Sequence, residues 1–184
     1  MHHDRKLLWQ VLLINAAFFI IEIITGLISH SMGLVADSLD MLADAIVYGL
    51  SIYAVGGHAD QKKRIARLSG YFQLILAIVG FGEVIRRFSG YGDSPEYKTM
   101  ILISTFALVG NAICLSLLQK SKNPEAHIQA SKIFTANDVL INIGVIIAGA
   151  LVYLTSSRIP DLVIGAAIFG LIIKGTLKIF KISN

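Results

Sequence analysis

The sequence has few charged residues and a single cysteine, and each scarcity excludes a class of protein. Asp, Glu, Lys and Arg make up 15% of its 184 residues, whereas 55% are hydrophobic and the mean hydropathy is +0.70. Soluble domains usually contain about 25% charged residues, so the composition indicates a membrane protein. Cys114 has no second cysteine with which to form an intrachain disulfide, and we interpret it as a small buried packing residue.

Motifs for several other functions are also missing. No His-Glu-x-x-His motif of a zinc hydrolase occurs in any apolar stretch. The formal net charge of +4 is not accompanied by an aromatic and basic recognition motif, so we expect no nucleic-acid partner. We also expect no prosthetic group. An intramembrane hydrolase that activates water with paired aspartates remains an alternative.

Six apolar runs each reach the length of about 20 residues that a transmembrane helix requires. They predict an all-α fold, a six-transmembrane-helix bundle that forms a single transmembrane domain over residues 1–184, with no soluble C-terminal domain. Lys and Arg concentrate at the N-terminus and after the second, fourth and sixth runs, which predicts that both termini are cytoplasmic. The approximate predicted spans are 7–29, 33–57, 68–88, 99–119, 133–156 and 160–180.

Three aspartates lie in the second predicted span, where charge is costly. A carboxylate near the bilayer centre costs about 2.5–3.5 kcal/mol on insertion scales. Asp40 and Asp44 lie one turn apart on the same helical face. Their repulsion is relieved if a divalent cation sits between them or if one holds a proton, so the pair predicts a site that exchanges metal for protons. Asp37 is either a gate residue or part of the helix start.

The fifth predicted span contributes Asp138, a further candidate metal ligand. Asn137 diverges from Asp138 by about 100° around the helix, so both reach one cation only if it lies between their directions. Asn142 shares a face with Asp138 and either contributes to the site or orients Asp138 by a hydrogen bond. Glu22 in the first span is either a proton acceptor or a hydrogen-bonded interhelical residue.

Small residues in the last two spans allow those spans to approach each other, or a second copy of the chain, closely. A homodimer formed through the transmembrane helices is therefore one possible assembly. The remaining outward-facing apolar surface is expected to contact the lipid bilayer. The small residues are Gly144, Ala148, Gly149, Gly165, Ala166 and Gly170.

The stretch from Gly26 to Asp44 resembles the first-loop and second-span signature of the cation diffusion facilitator family. The six spans and the cytoplasmic termini also fit, and the chain resembles the short, membrane-only branch that lacks the cytoplasmic C-terminal domain. The resemblance implies a transport site with two ligands in the second span and two in the fifth. Asp40, Asp44 and Asp138 match three of these positions, but the fourth falls on Phe134, which cannot bind metal.

The resemblance implies a secondary transporter that exports a divalent cation from the cytoplasm in exchange for protons. Three carboxylates, completed by Asn137, Thr135 or water, would form an all-oxygen site, which favours Mn²⁺ or Fe²⁺. Zinc also accepts carboxylates, and the family resemblance keeps Zn²⁺ first. The expected location is a bacterial inner membrane. A membrane scaffold or partner subunit, whose aspartates only bond to neighbouring helices, is the alternative outside transport.

Overall fold

The structure is a computed structural model that describes residues 2–54, 59–120 and 126–183, and in these ranges it is a bundle of six helices. No strand occurs in the described ranges. The all-α fold predicted from the apolar runs is therefore confirmed. The helices are α1 (His2–Ile28), α2 (Met32–Ala54), α3 (Ala59–Phe88), α4 (Tyr97–Lys120), α5 (Ala126–Thr155) and α6 (Ile159–Ser183).

Four of these helices are long and apolar enough to cross a membrane by length and composition, namely α1, α4, α5 and α6. The chain is thus a multi-pass integral membrane protein. Helix α2 carries three aspartates, and α3 begins with a basic run, which makes both less apolar. The six predicted spans correspond in order to the six helices, although the end of the second predicted span, residues 55–57, lies outside the described residues.

The helices extend beyond the predicted spans into the basic segments between them. Lys62, Lys63, Arg64 and Arg67 lie in the first turns of α3, and Lys132 lies in α5. A helix does not have to end where its apolar run ends. Lys and Arg are good helix formers, so the helices continue past their apolar segments.

The surface and the interior have the opposite polarity to those of a soluble protein. Large apolar side chains point outward, for example Leu140 at 67% exposure, whereas Asn15, Asn111 and Asn142 are completely buried. An apolar outer surface matches lipid, and these polar side chains lie inside the bundle. The bundle interior is therefore the region where polar chemistry can occur.

Helix α2 lies at the centre of the bundle. It packs against all the other helices, while α1 pairs mainly with α2, α4 with α5, and α3 with α6. None of the α2 side chains that the structure describes is exposed. The helix with the most acidic residues is consequently enclosed by protein.

The α1–α2 turn brings these two helices very close together. The Ser29 and Ser31 amides donate to the carbonyls of Thr25 and Gly26 at 2.8 and 2.9 Å. A Cβ at Gly26 would lie 2.9 Å from the Val35 nitrogen, so a side chain at this position would push the two helices apart.

Two apolar clusters flank the centre of the bundle. The larger one joins α2 to α5 and α6 through residues such as Leu34, Val145 and Phe169. The smaller one fills the end of the bundle that holds the N-terminal part of α1, through Leu8, Val11, Tyr48, Ile52, Cys114 and Leu118. Cys114 is fully buried in this cluster, as its interpretation as a packing residue predicted. The candidate site lies between the two clusters.

Candidate functional site

Five acidic residues from three helices form what we call the acidic cluster: Glu22 on α1, Asp37, Asp40 and Asp44 on α2, and Asp138 on α5. Glu22 and Asp37 are completely buried, Asp138 and Asp44 are 1% and 6% exposed, and Asp40 is half-buried. The i, i+4 spacing on α2 turns Asp40 and Asp44 toward the same side of the helix.

The carboxyl groups of the acidic cluster interact with one another electrostatically. Asp138 interacts with Asp44, Asp40 and Asp37, and Glu22 interacts with both Asp138 and Asp37. The structure thus brings together the acidic residues of α2 and α5 that the sequence analysis selected. It also adds Glu22 of α1 to the same electrostatic environment.

Three members of the acidic cluster lack hydrogen-bond partners. Neither carboxyl oxygen of Glu22, Asp37 or Asp138 has a partner within the described part of the chain. A buried carboxylate without donors carries an effective penalty of several kcal/mol, which a proton or a cation removes. These three groups are therefore suited to binding and releasing a positive charge.

Tyr48 joins the cluster to α5, and the sequence analysis missed it. Its hydroxyl donates to Oδ2 of Asp44 at 3.3 Å and lies 3.1 Å from the Thr135 hydroxyl. Tyr48 is completely buried and follows Asp40 and Asp44 at the same four-residue interval, so the helical period could have identified it. The contact places Thr135 beside the cluster, bound to Tyr48.

The structure places the two candidate asparagines of α5 differently. Nδ2 of Asn142 donates to the main-chain carbonyl of Asp138 at 2.7 Å, so it does not orient the Asp138 carboxyl group. Asn137 is exposed on the outer side of α5, whereas Asp138 is buried. The 100° step between adjacent helical residues turns Asn137 away from the cluster, and the structure does not bring these two side chains together.

The acidic cluster is not arranged as a closed metal site. Among residues 2–54, 59–120 and 126–183, no group of three or more His, Cys, Asp or Glu side chains has the geometry to hold a metal ion. The carboxyl groups are close enough to interact electrostatically but do not converge on one point. Metal coordination by this cluster would require its carboxyl groups to move closer together.

Asp161, at the start of α6, is a buried carboxylate of a different kind. Its Oδ1 accepts from the Ser31 hydroxyl at 2.6 Å and from the Gly33 amide at 2.9 Å, and its Oδ2 accepts from the Met32 amide at 2.7 Å. The amides at the start of a helix lack intrahelical acceptors. Here the acceptors come from a residue that lies 128 or more positions later in the chain. The sequence analysis did not select Asp161.

The loops at this end of the bundle are tied together by arginines. Arg87 Nη1 donates to the His30 carbonyl at 2.6 Å, and its Nε binds Glu83 at 2.9 Å. Arg158 donates to the carbonyls of Gly90, Tyr91 and Gly92. These contacts hold the α1–α2, α3–α4 and α5–α6 connections against one another.

Asp93 is the one aspartate that directly follows a Gly-x-Gly sequence, Gly90-Tyr91-Gly92. This residue pattern would suit the intramembrane hydrolase alternative if it lay inside a span. Asp93 instead lies in the α3–α4 loop with its side chain 80% exposed, so it forms no dyad with the buried aspartates.

Comparison with known proteins identifies relatives over nearly the whole chain. Zinc transporter ZitB of Pectobacterium atrosepticum is 27% identical over 193 aligned positions, which cover 97% of this chain and 59% of that protein. Metal cation efflux system protein CzcD of Cupriavidus metallidurans is 23% identical over 164 positions, covering 81% of this chain and 50% of that protein. The chain thus spans between half and about 60% of the length of these relatives.

The family model described as the cation efflux transmembrane domain matches residues 8–183. This match includes α2 to α6, α1 from residue 8 onward, and every member of the acidic cluster. The resemblance to cation transporters noted in the stretch from Gly26 to Asp44 is therefore confirmed across the bundle, and the chain belongs to the cation efflux family.

Proposed function

We propose that the chain is a secondary transporter that exports a divalent metal cation from the cytoplasm in exchange for protons. The observation that carries the proposal is the acidic cluster, in which buried carboxyl groups from α2 and α5 interact electrostatically. Ionisable residues inside a membrane domain commonly mark ion pathways. We further propose a bacterial inner membrane as the location, because the similar proteins named above are bacterial.

Asp40, Asp44 and Asp138 are the proposed ligands of the transported ion. They lie on two helices, so the ion would draw α2 and α5 together and thereby convert an open cluster into a coordination site. Asn137, being exposed, is not included in the proposed ligand set. Water or Thr135 would complete the coordination, and Thr135 is already connected to Asp44 through Tyr48.

Glu22 and Asp37 are proposed as proton-binding residues beside the metal site. They are fully buried and lack hydrogen-bond donors in the described residues, so protonation is the simplest way to remove their charge cost. Exchange of one doubly charged ion for protons would keep the total charge of the cluster nearly constant.

Zn²⁺ is the first substrate to test, followed by Mn²⁺ and Fe²⁺. Zinc accepts carboxylate ligands at about 2.0–2.2 Å, and the names of the ZitB relatives refer to zinc. The proposed ligand set contains only oxygen, which also suits the harder ions. Competition among Zn²⁺, Mn²⁺, Fe²⁺, Co²⁺ and Cd²⁺ in one transport assay would rank them.

The direct test is metal uptake into proteoliposomes whose cytoplasmic protein face points outward. The unmodified chain should take up Zn²⁺ and make the lumen more alkaline as protons leave. Asp44→Ala and Asp138→Ala should each reduce uptake at least 100-fold, because each removes a ligand. Asp93→Asn is the matched control, since Asp93 is an exposed loop carboxylate, and its uptake should be unchanged.

Full transport by both alanine variants would contradict the proposed site. Uptake of Zn²⁺ without any change in the pH of the lumen would contradict proton exchange while leaving metal transport intact. A purified protein that binds no divalent cation would instead favour the scaffold alternative.

A further inference from the structure

The start of α2 is held by a residue of another helix. Three hydrogen bonds connect Asp161 to Ser31, Met32 and Gly33, and we call this set the Asp161 clamp. The Ser31 hydroxyl also lies 3.2 Å from the Leu34 amide and accepts from it. Ser31 and Asp161 thus share the capping of α2: Ser31 accepts from the Leu34 amide, and Asp161 accepts from the Met32 and Gly33 amides.

The backbones at the clamp are packed closely enough to prevent sliding. A Cβ at Gly165 would lie 2.9 Å from the Met32 carbonyl oxygen, and a Cβ at Gly33 would lie 3.0 Å from Oδ1 of Asp161. Glycine at both positions permits this approach. An axial shift of α2 along α6 would break the three bonds and move backbone atoms into contact.

The second half of α2 is joined to α5 by a contact between two uncharged groups. The Tyr48 hydroxyl lies 3.1 Å from the Thr135 hydroxyl, and Tyr48 also packs in the smaller apolar cluster. The end near Met32 is fixed by charge-assisted bonds, which are roughly twice as strong as neutral ones.

We propose that Asp161 is a positioning residue that keeps the first turn of α2 attached to α6 throughout transport, so that α2 tilts about this point. With a rise of 1.5 Å per residue, Asp44 lies about 18 Å along the helix from Met32. A tilt of about 10° would then move Asp44 by about 3 Å, enough to make or break a metal contact. This inference rests on the proposed transport function.

The test replaces the clamp by a bond that can be made and broken. In a Cys114→Ala background, Ser31→Cys and Asp161→Cys are combined, because the Ser31 and Asp161 side-chain oxygens are only 2.6 Å apart, and the loss of free thiols on oxidation measures how much of the pair forms a disulfide. The protein is reconstituted in oxidised form, and Zn²⁺ uptake is measured before and after reduction of the same proteoliposomes.

The oxidised double variant should transport within threefold of the Cys114→Ala parent, and reduction should lower its uptake at least tenfold. Each single cysteine variant should show no response to oxidant or reductant. Because folding and reconstitution are completed before reduction, a loss on reduction reports on the position of α2 and not on assembly.

Three results would overturn the clamp. An inactive oxidised variant would show that the start of α2 must leave α6. Full activity of the reduced variant, equal to that of the parent, would show that the clamp is not needed, and failure to form the disulfide would show that the two positions do not stay together.

A Cys114→Ala parent that transports no metal would contradict the proposed transport function instead. In that case the clamp is tested by the rate at which the thiol of Ser31→Cys is labelled, since position 31 is buried. Slow labelling in a protein with an intact Asp161, with or without Zn²⁺, supports the clamp. Rapid labelling contradicts the clamp.

Discussion

Asp161 and Asp138 are both buried carboxylates, yet their surroundings are opposite. Asp161 accepts three hydrogen bonds from the first turn of α2. Asp138 is equally buried, but neither of its oxygens has a partner within the described residues. A carboxylate with its full set of donors stabilises one arrangement of helices, whereas one without donors is free to bind an ion. Burial alone therefore does not distinguish a structural acid from a functional one.

The largest expected effect on stability is at Asp161. Asp161→Ala should lower the free energy of unfolding by about 3 kcal/mol, because hydrogen bonds to a charged group contribute about 1.5–3 kcal/mol each and two backbone amides would lose their acceptor. Unfolding of the purified protein in detergent measures this change. An unchanged unfolding midpoint would mean that the three bonds do not stabilise the bundle.

Metal binding should produce the next largest effect, and it should depend on Asp138. Zn²⁺ at 100 times its dissociation constant should raise the stability of the unmodified chain by about 2.7 kcal/mol. Asp138→Asn should eliminate this increase, because the amide cannot replace a charged ligand. The measurement is thermal unfolding with and without Zn²⁺, and Asp93→Asn should retain the full increase. A metal-induced increase that persists in Asp138→Asn would remove Asp138 from the site.

Without metal, Asp138→Asn should change stability in the direction opposite to Asp161→Ala. Removing a buried charge that lacks donors should leave the free energy of unfolding unchanged or raise it by up to about 2 kcal/mol. Chemical unfolding in a metal-free buffer tests this sign. A loss comparable to that of Asp161→Ala would show that Asp138 has a structural role, and the contrast between the two aspartates would disappear.

Tyr48 should show the smallest of these effects. Tyr48→Phe retains the ring and removes the hydroxyl contacts with Asp44 and Thr135, which should lower stability by about 1 kcal/mol. Half-saturation for Zn²⁺ uptake should change severalfold, because Asp44 loses a donor that orients it. Thr135→Val is the matching change on α5, and an effect of Tyr48→Phe that adds fully to that of Thr135→Val would argue that the two hydroxyls act independently.

The helices could be predicted well because the pattern that indicates them lies within a short stretch of sequence. The length of each apolar run is visible in the sequence itself. The i, i+4 spacing of Asp40 and Asp44 places them on one face without knowledge of the rest of the fold. The ends of α3 and α5 were predicted less well, since apolar content marks the lipid-embedded part of a helix and not where its hydrogen bonding stops. Glu83 and Arg87 form an intrahelical ion pair at the i, i+4 spacing, which is again a local pattern.

The contacts between distant segments could not be predicted in this way. From the neighbouring sequence alone, Asp161 is an ordinary acidic residue in the first turn of α6, a position that the helix dipole favours. Only the folded bundle shows that it caps α2, which lies 128 or more residues earlier. The orientation of Asn137 is similar: its spacing relative to Asp138 was known, but which of the two faces inward depends on where α5 packs.

The close turn at Gly26 also bears on the charge balance of the site. Glu22 lies four residues before Gly26, and Asp37 lies just beyond the segment of α2 that Gly26 contacts. The two acids are carried by one closely packed helix pair, so the distance between their backbones depends on the approach at Gly26. A larger residue at position 26 is therefore expected to weaken the proposed proton exchange without replacing any ionisable group.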